Sequence, residues 1–127
     1  MRDLLLVGCG GFIGSAIRFW IGGIVTQATS ANRFPLATLV VNVTGCLAIG
    51  LLGGLAETRH VFSPAARLLL FTGLLGGFTT FSAFGFETMF LAREGAWRDA
   101  VLNIVLQLVL GLGAVWLGYR AALLASN

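Results

Sequence analysis

The chain contains 127 residues, of which 57% are hydrophobic and 10% are charged. Soluble domains carry about 25% charged residues. A soluble fold is therefore excluded, because one domain of this length could not bury so much apolar surface. The formal net charge is +3, and the basic residues are all arginines spread along the chain, which excludes a basic patch for nucleic acid.

Four apolar runs follow in chain order, at residues 4–25, 36–56, 68–91 and 100–124. Each is close to the roughly 20 residues that cross a hydrocarbon core. Pro35 and Pro64 stand just before a run, where proline is tolerated at a helix start. The first run is too long for a signal peptide and contains Arg18. We therefore expect a single all-α domain that crosses the cell membrane four times and is surrounded by lipid.

Glycines at regular spacing mark the predicted helices. Residues 8–14 look like a dinucleotide-binding loop, but the spacing is off by one and no predicted strand precedes them. We expect instead close helix contacts through GxxxG pairs, namely Gly10 and Gly14, Gly50 and Gly54, and Gly73 and Gly77. Cys9 and Cys46 lie inside apolar runs, where packing is the expected role, and the lone His60 argues against a metal site.

Polar residues interrupt the apolar runs, and each has a structural and a functional interpretation. Arg18, late in the first run, either extends to the lipid interface or acts as a buried cation that attracts an anion. Thr38 and Asn42 share one face of the second helix, so Asn42 either joins another helix or lines a pore. Asn103 and Gln107 have the same spacing in the fourth run and indicate a polar track or an interhelical pair.

The third run carries the strongest signal, at residues 76–85. Adjacent glycines and three hydroxyl residues are poor helix formers together, so we expect the helix to break at mid-membrane. Broken backbone at that depth must be buried in protein or line a cavity, and its freed carbonyls can bind a cation. Phe81 and Phe84 either pack or present electropositive ring edges to a small anion. Glu87 is either buried and paired or reaches the headgroups.

Together these motifs resemble the Fluc (CrcB) fluoride channel family, and the resemblance covers the length of the chain. Residues 10–19 are similar to the family's glycine-rich first helix with its arginine. Residues 37–45 are similar to the second-helix motif, with Ala37 where glycine is usual, and residues 76–84 resemble the family signature. Some members have a tyrosine and a serine in the fourth helix, where this chain has Asn103 and Gln107.

The resemblance implies a passive fluoride channel, not an enzyme, that forms an antiparallel homodimer with two narrow pores and confers fluoride resistance. The pore residues that it implies are Thr38, Asn42, Thr80, Phe81, Ser82, Phe84, Asn103 and Gln107. It also implies a structural sodium ion on the dimer axis, held by the main-chain carbonyls of Gly76 and Thr79. Glu87 matches an acidic residue that follows the signature.

Two other protein classes fit part of the pattern. A proton-coupled small multidrug transporter also has four helices, but proton exchange needs a membrane-buried carboxylate, typically in the first helix. Asp3 precedes that helix, and no acidic residue lies within it. A non-transporting scaffold would account for the glycines but not for the concentrated polar residues at mid-membrane.

The distribution of arginine predicts no preferred orientation in the membrane. Orientation is set mainly by lysine and arginine in short loops and near helix ends. One side carries four arginines, which are Arg2, Arg59, Arg67 and Arg120. The other side also carries four, which are Arg18, Arg33, Arg93 and Arg98. We therefore expect both topologies, and two opposed copies can pair in a closed, isologous dimer.

Overall fold

The computed structural model describes residues 1–29, 33–59 and 61–125. Within these ranges the elements are α1 (Arg2–Ala28), α2 (Leu36–Thr58), α3 (Pro64–Arg67), the π-helix π1 (Leu68–Leu75), α4 (Gly76–Phe78), α5 (Phe81–Arg93) and α6 (Trp97–Leu124). Four helical spans are long and apolar enough to cross a membrane: α1, α2, the run from α3 to α5, and α6. The predicted all-α fold with four membrane-spanning helices is confirmed. His60 and the predicted turn residues Ser30, Ala31 and Asn32 lie outside the described ranges.

The helices extend beyond the apolar runs because polar residues at their ends continue the helical backbone. Asp3 and Asp99 lie in the first turns of α1 and α6, where a negative charge interacts favourably with the helix dipole. At the start of α3, the Ser63 hydroxyl accepts the N–H of Ala66 at 3.2 Å. Pro64 occupies the first turn of the same helix, where its missing N–H removes no helical bond.

The glycine pairs allow the helices to approach closely. α1 packs mainly on π1 and α4, and α2 packs mainly on α6. A Cβ added at Gly14 would lie 2.8 Å from Phe78 N, and one at Gly50 would lie 3.0 Å from Val115 Cα. Each glycine of the predicted pairs would meet a neighbouring helix in this way: Gly10, Gly14, Gly50, Gly54, Gly73 and Gly77. The expected packing role of these residues is confirmed.

The third span is not a uniform α-helix. π1 lies in the first half of the span, and two extended residues separate α4 from α5. Thr79 has φ −84° and ψ 158°, and Thr80 has φ −149° and ψ 109°. π-Helical turns are frequent at functional sites. The extended pair lies beside α2, where Asn42 bonds to the backbone of Thr80.

Candidate functional site

Asn42 of α2 binds the extended backbone between α4 and α5. Its Oδ1 accepts the Thr80 N–H at 2.8 Å, and its Nδ2 donates to the Thr80 carbonyl at 3.1 Å. The same Nδ2 donates to Gln107 Oε1 of α6 at 3.3 Å. One side chain therefore satisfies both backbone groups of an extended residue and also joins three helical segments. Such groups would be costly if left unpaired in an apolar interior.

The threonines at this point cap the two helical segments. The Thr80 hydroxyl accepts the N–H of Ala83 at 3.3 Å and acts as the N-cap of α5. In a continuous α-helix, the N–H groups of Thr80 and Ala83 would donate to the carbonyls four residues earlier, which are those of Gly76 and Thr79. Because Asn42 and the Thr80 hydroxyl take these N–H groups, the two carbonyls lose their helical donors.

A cavity of about 340 Å³ lies beside the extended pair. Its lining includes the amide residues Asn42 and Gln107 and the phenyl rings of Phe81 and Phe84. The two rings meet edge to face, with centroids 5.4 Å apart and an interplanar angle of 62°. Phe81 is 80% exposed in the single chain. Ser82 is exposed, and its hydroxyl lies 3.3 Å from that of Thr80.

A second polar contact joins α2 to α5 near the end of the third span. The Thr38 hydroxyl donates to Glu87 Oε1 at 2.6 Å, and Thr38 is buried. The other carboxyl oxygen of Glu87 is also buried and has no hydrogen-bond partner among the described residues. Thr38 and Asn42 thus use the same face of α2 for two different contacts with the third span.

A third polar contact joins α6 to α5. Asn103 is fully buried, and its Nδ2 donates to the Thr88 hydroxyl at 2.9 Å. The Thr88 hydroxyl donates in turn to the carbonyl of Phe84 at 2.7 Å. The sequence alone indicates no role for Thr88. Its position one turn after Phe84 is the one sequence feature that could have indicated this contact. That feature is weak, because a threonine that bonds to its own helix is ordinary.

Backbone groups fix the direction of the hydrogen bonds around Asn42. The Thr80 N–H can only donate, so Asn42 presents Oδ1 to it and Nδ2 to the Thr80 carbonyl and to Gln107. Gln107 must then present Oε1, and its Nε2 is buried without a partner in the described structure. The arrangement therefore leaves an uncharged N–H donor on a residue that borders the cavity.

Arg18 lies apart from these contacts. It borders a groove of about 580 Å³ that also includes Ser15, Thr38 and Thr80. Within residues 1–29, 33–59 and 61–125 it forms no hydrogen bond or ion pair. The same ranges contain no cluster of three His, Cys, Asp or Glu side chains that could hold a metal ion.

Known proteins match this chain over nearly its whole length. Residues 5–119 match the family described as CrcB-like protein, Camphor Resistance (CrcB). A protein of Methylobacillus flagellatus named "Fluoride-specific ion channel FluC" is 53% identical over 120 residues, covering 94% of each chain. A protein of the same name from Paramagnetospirillum magneticum is 46% identical over 124 residues, covering 96% of each. One from Nitratidesulfovibrio vulgaris is 43% identical over 118 residues, covering 93% of this chain and 94% of that protein. The resemblance inferred from the motifs is confirmed, and the chain belongs to the CrcB-like protein family.

Proposed function

We propose that this protein is a fluoride-selective channel that passively exports fluoride across the cytoplasmic membrane. The observation that carries the proposal is the cavity beside Thr80, where two phenyl rings and two side-chain amides meet. No charged side chain occurs among the described residues that line it. The names of the relatives, which share 43% to 53% of their residues with this chain over nearly its full length, support the same function.

Fluoride is small and strongly hydrated, so a pore must replace its water with hydrogen-bond donors. The Nε2 group of Gln107 lacks a partner and is suited to this role. The bond from Asn42 to Gln107 is long at 3.3 Å, so a passing anion can take its place. The hydroxyls of Thr80 and Ser82 supply further donors. Because these groups are uncharged, fluoride binds and still leaves.

Phe81 and Phe84 define the width of the proposed path. A phenyl ring is electropositive at its edge. Ring edges can therefore contact fluoride at a point where a charged residue would bind it too tightly. Bulky rings also narrow the path against larger anions. Fluoride enters cells as the neutral acid and ionises inside, so a passive pore is sufficient for export.

The working unit that we propose is an antiparallel homodimer with two pores, in which the extended pair at Thr79 and Thr80 forms a break at mid-membrane. Two observations support it. Arginine is balanced between the two sides of the membrane, which favours both topologies. Phe81, although a pore residue in this account, is 80% exposed in the single chain, as expected if a second copy covers it.

The residues around the extended pair fit a structural sodium ion. The carbonyls of Gly76 and Thr79 lose their helical donors to Asn42 and to the Thr80 hydroxyl, and such carbonyls coordinate monovalent cations in unwound membrane helices. When bound, the ion would supply a positive charge that holds carbonyls of two copies together. Asn42 and the Thr80 hydroxyl would contribute by accepting the two N–H groups that would otherwise donate to these oxygens.

Growth of a fluoride-sensitive bacterium that lacks fluoride export tests the proposal. Expression of this protein should restore growth in fluoride and leave tolerance to added chloride unchanged. The family and the relatives that match this chain give no support to a proton-coupled multidrug transporter. If expression instead raised tolerance to hydrophobic cations and not to fluoride, the channel proposal would be wrong.

A further inference from the structure

Phe84 is held by polar contacts on both sides of its helical turn. Before it, Thr80 caps α5 and is bound by Asn42. After it, the Thr88 hydroxyl donates to the Phe84 carbonyl at 2.7 Å and accepts from Asn103 of α6 at 2.9 Å. The turn that carries the ring is therefore tied to α2 at one end and to α6 at the other.

The bonding directions show which groups are already in use. The Phe84 carbonyl can only accept, so it takes the proton of the Thr88 hydroxyl. That hydroxyl oxygen then accepts from Asn103, which must present Nδ2. Thr88 has no proton left for an ion. Asn103 is fully buried and does not border the cavity that Gln107 borders. Thr88 therefore has no donor for fluoride, and Asn103 does not reach the cavity in the single chain.

The contact comes with an energetic penalty. The Oδ1 atom of Asn103 is buried and has no partner among the described residues, and an unpaired buried acceptor is destabilising. An apolar residue such as leucine would avoid that penalty. Among the described residues, the amide has one compensating contact, which is its bond to Thr88. The Asn103 amide therefore lowers stability through its unpaired oxygen, and what it provides is the contact that holds α5 against α6.

We propose that Asn103 and Thr88 are positioning residues that fix the turn bearing Phe84, and so set the spacing of the Phe81 and Phe84 ring edges. This role rests on the proposed fluoride channel function. It departs from the expected pore-lining role of Asn103, and it adds Thr88, which the family resemblance did not point to. The two residues act on fluoride selectivity through the rings and do not contact the ion.

Fluoride and chloride efflux from liposomes containing purified protein tests this role. Thr88→Val removes the hydroxyl and keeps the shape of the side chain. Asn103→Leu removes the other partner of the same hydrogen bond, on α6. Each should lower the ratio of fluoride to chloride efflux by about tenfold, the effect of losing one hydrogen bond. Thr88→Ser should restore the ratio. The double variant should be no worse than either single variant, because both remove one contact.

Thr29→Val is the matched control, because the Thr29 hydroxyl also bonds the carbonyl four residues earlier, at 2.7 Å, with no partner on another helix in the described structure. It should leave the ratio unchanged. If Thr88→Val and Asn103→Leu keep the efflux ratio of the unmodified protein, whether or not their thermal stability changes, the positioning role is overturned. An unmodified protein that moves no fluoride would instead overturn the proposed function, and this role with it.

Discussion

Asn42 holds Thr80 by both of its backbone polar groups, with the Thr80 N–H donating to Oδ1 at 2.8 Å and Nδ2 donating to the Thr80 carbonyl at 3.1 Å. This two-point contact lets two extended residues persist inside an apolar helix bundle, where unpaired backbone groups would be costly. It also orients the amide so that its donor faces Gln107. The sequence leaves both an interhelical contact and a pore-lining role open for this side chain, and the structure shows the interhelical contact.

Asn42→Ala should abolish fluoride efflux and also reduce stability. The change leaves the N–H and carbonyl of Thr80 without their partner, and each buried unpaired group costs about 1–3 kcal/mol. Thermal unfolding in detergent and efflux from liposomes measure the two effects, and size-exclusion chromatography checks that the dimer remains assembled. Normal conduction by an assembled Asn42→Ala dimer would contradict the pore assignment.

Replacement of Phe81 or Phe84 by leucine should abolish fluoride efflux while the dimer remains assembled, because leucine has no electropositive ring edge. Phe12→Leu is a suitable control, since Phe12 is 77% exposed in the single chain, close to the 80% of Phe81, and does not border the cavity. The control should conduct like the unmodified protein. Equal efflux from all of these variants would mean that the rings only pack.

Gly14→Ala should destabilise the protein by about 1–3 kcal/mol, the usual effect of overpacking. The added Cβ would lie 2.8 Å from the backbone nitrogen of Phe78. Because this contact is with backbone, the clash cannot be relieved by moving a flexible side chain. Gly22→Ala on the same helix meets nothing within 4 Å and should leave the unfolding temperature unchanged or slightly raised. Equal unfolding temperatures for the two variants would argue against the close packing of α1 on π1 and α4.

Much of the fold and part of the site could be predicted from the sequence. The length of the apolar runs gives four spans, and the polar residues Thr38, Asn42 and Thr80 mark positions inside them that need a polar partner or a pore. The partners of these residues could not be predicted. Whether the carboxyl of Glu87 meets Thr38 or the headgroups depends on how far α5 is rotated against α2, which long-range packing decides.

Long-range packing also explains why the sequence does not predict the bond between Thr88 and Asn103 or the π-helix π1. Thr88 bonds Asn103 because α6 is rotated to face α5, and no local pattern near Thr88 encodes that rotation. π1 covers Leu68–Leu75, a stretch whose apolar composition is equally compatible with an α-helix. Its close contact with the glycines of α1 is a property of the assembled helices and is not visible in either segment alone.

A crystal structure from sodium-containing solution should contain a monovalent cation bound by the main-chain oxygens of Gly76 and Thr79. The expectation follows from the two N–H groups that bond elsewhere and from the absence of a carboxylate cluster in the described ranges. A well-resolved map without density at this place, or with density coordinated by six waters, would contradict the proposed sodium site.

A reporter fused to the C-terminus should be active in both orientations. One fusion uses a reporter that works only in the cytoplasm, and the other uses a reporter that works only outside. Because arginine is balanced between the two sides, the two signals should be comparable. Signal from only one fusion would contradict dual topology and the antiparallel dimer that depends on it.

Efflux of fluoride from liposomes containing the purified protein tests the central claim most directly. The liposomes are loaded with potassium fluoride or potassium chloride, a potassium ionophore removes the membrane potential, and an ion-selective electrode follows each anion. We predict rapid fluoride efflux that excess chloride does not slow, and chloride efflux far slower than that of fluoride. Fluoride efflux equal to that of protein-free liposomes, or chloride efflux as fast as that of fluoride, would contradict the claim.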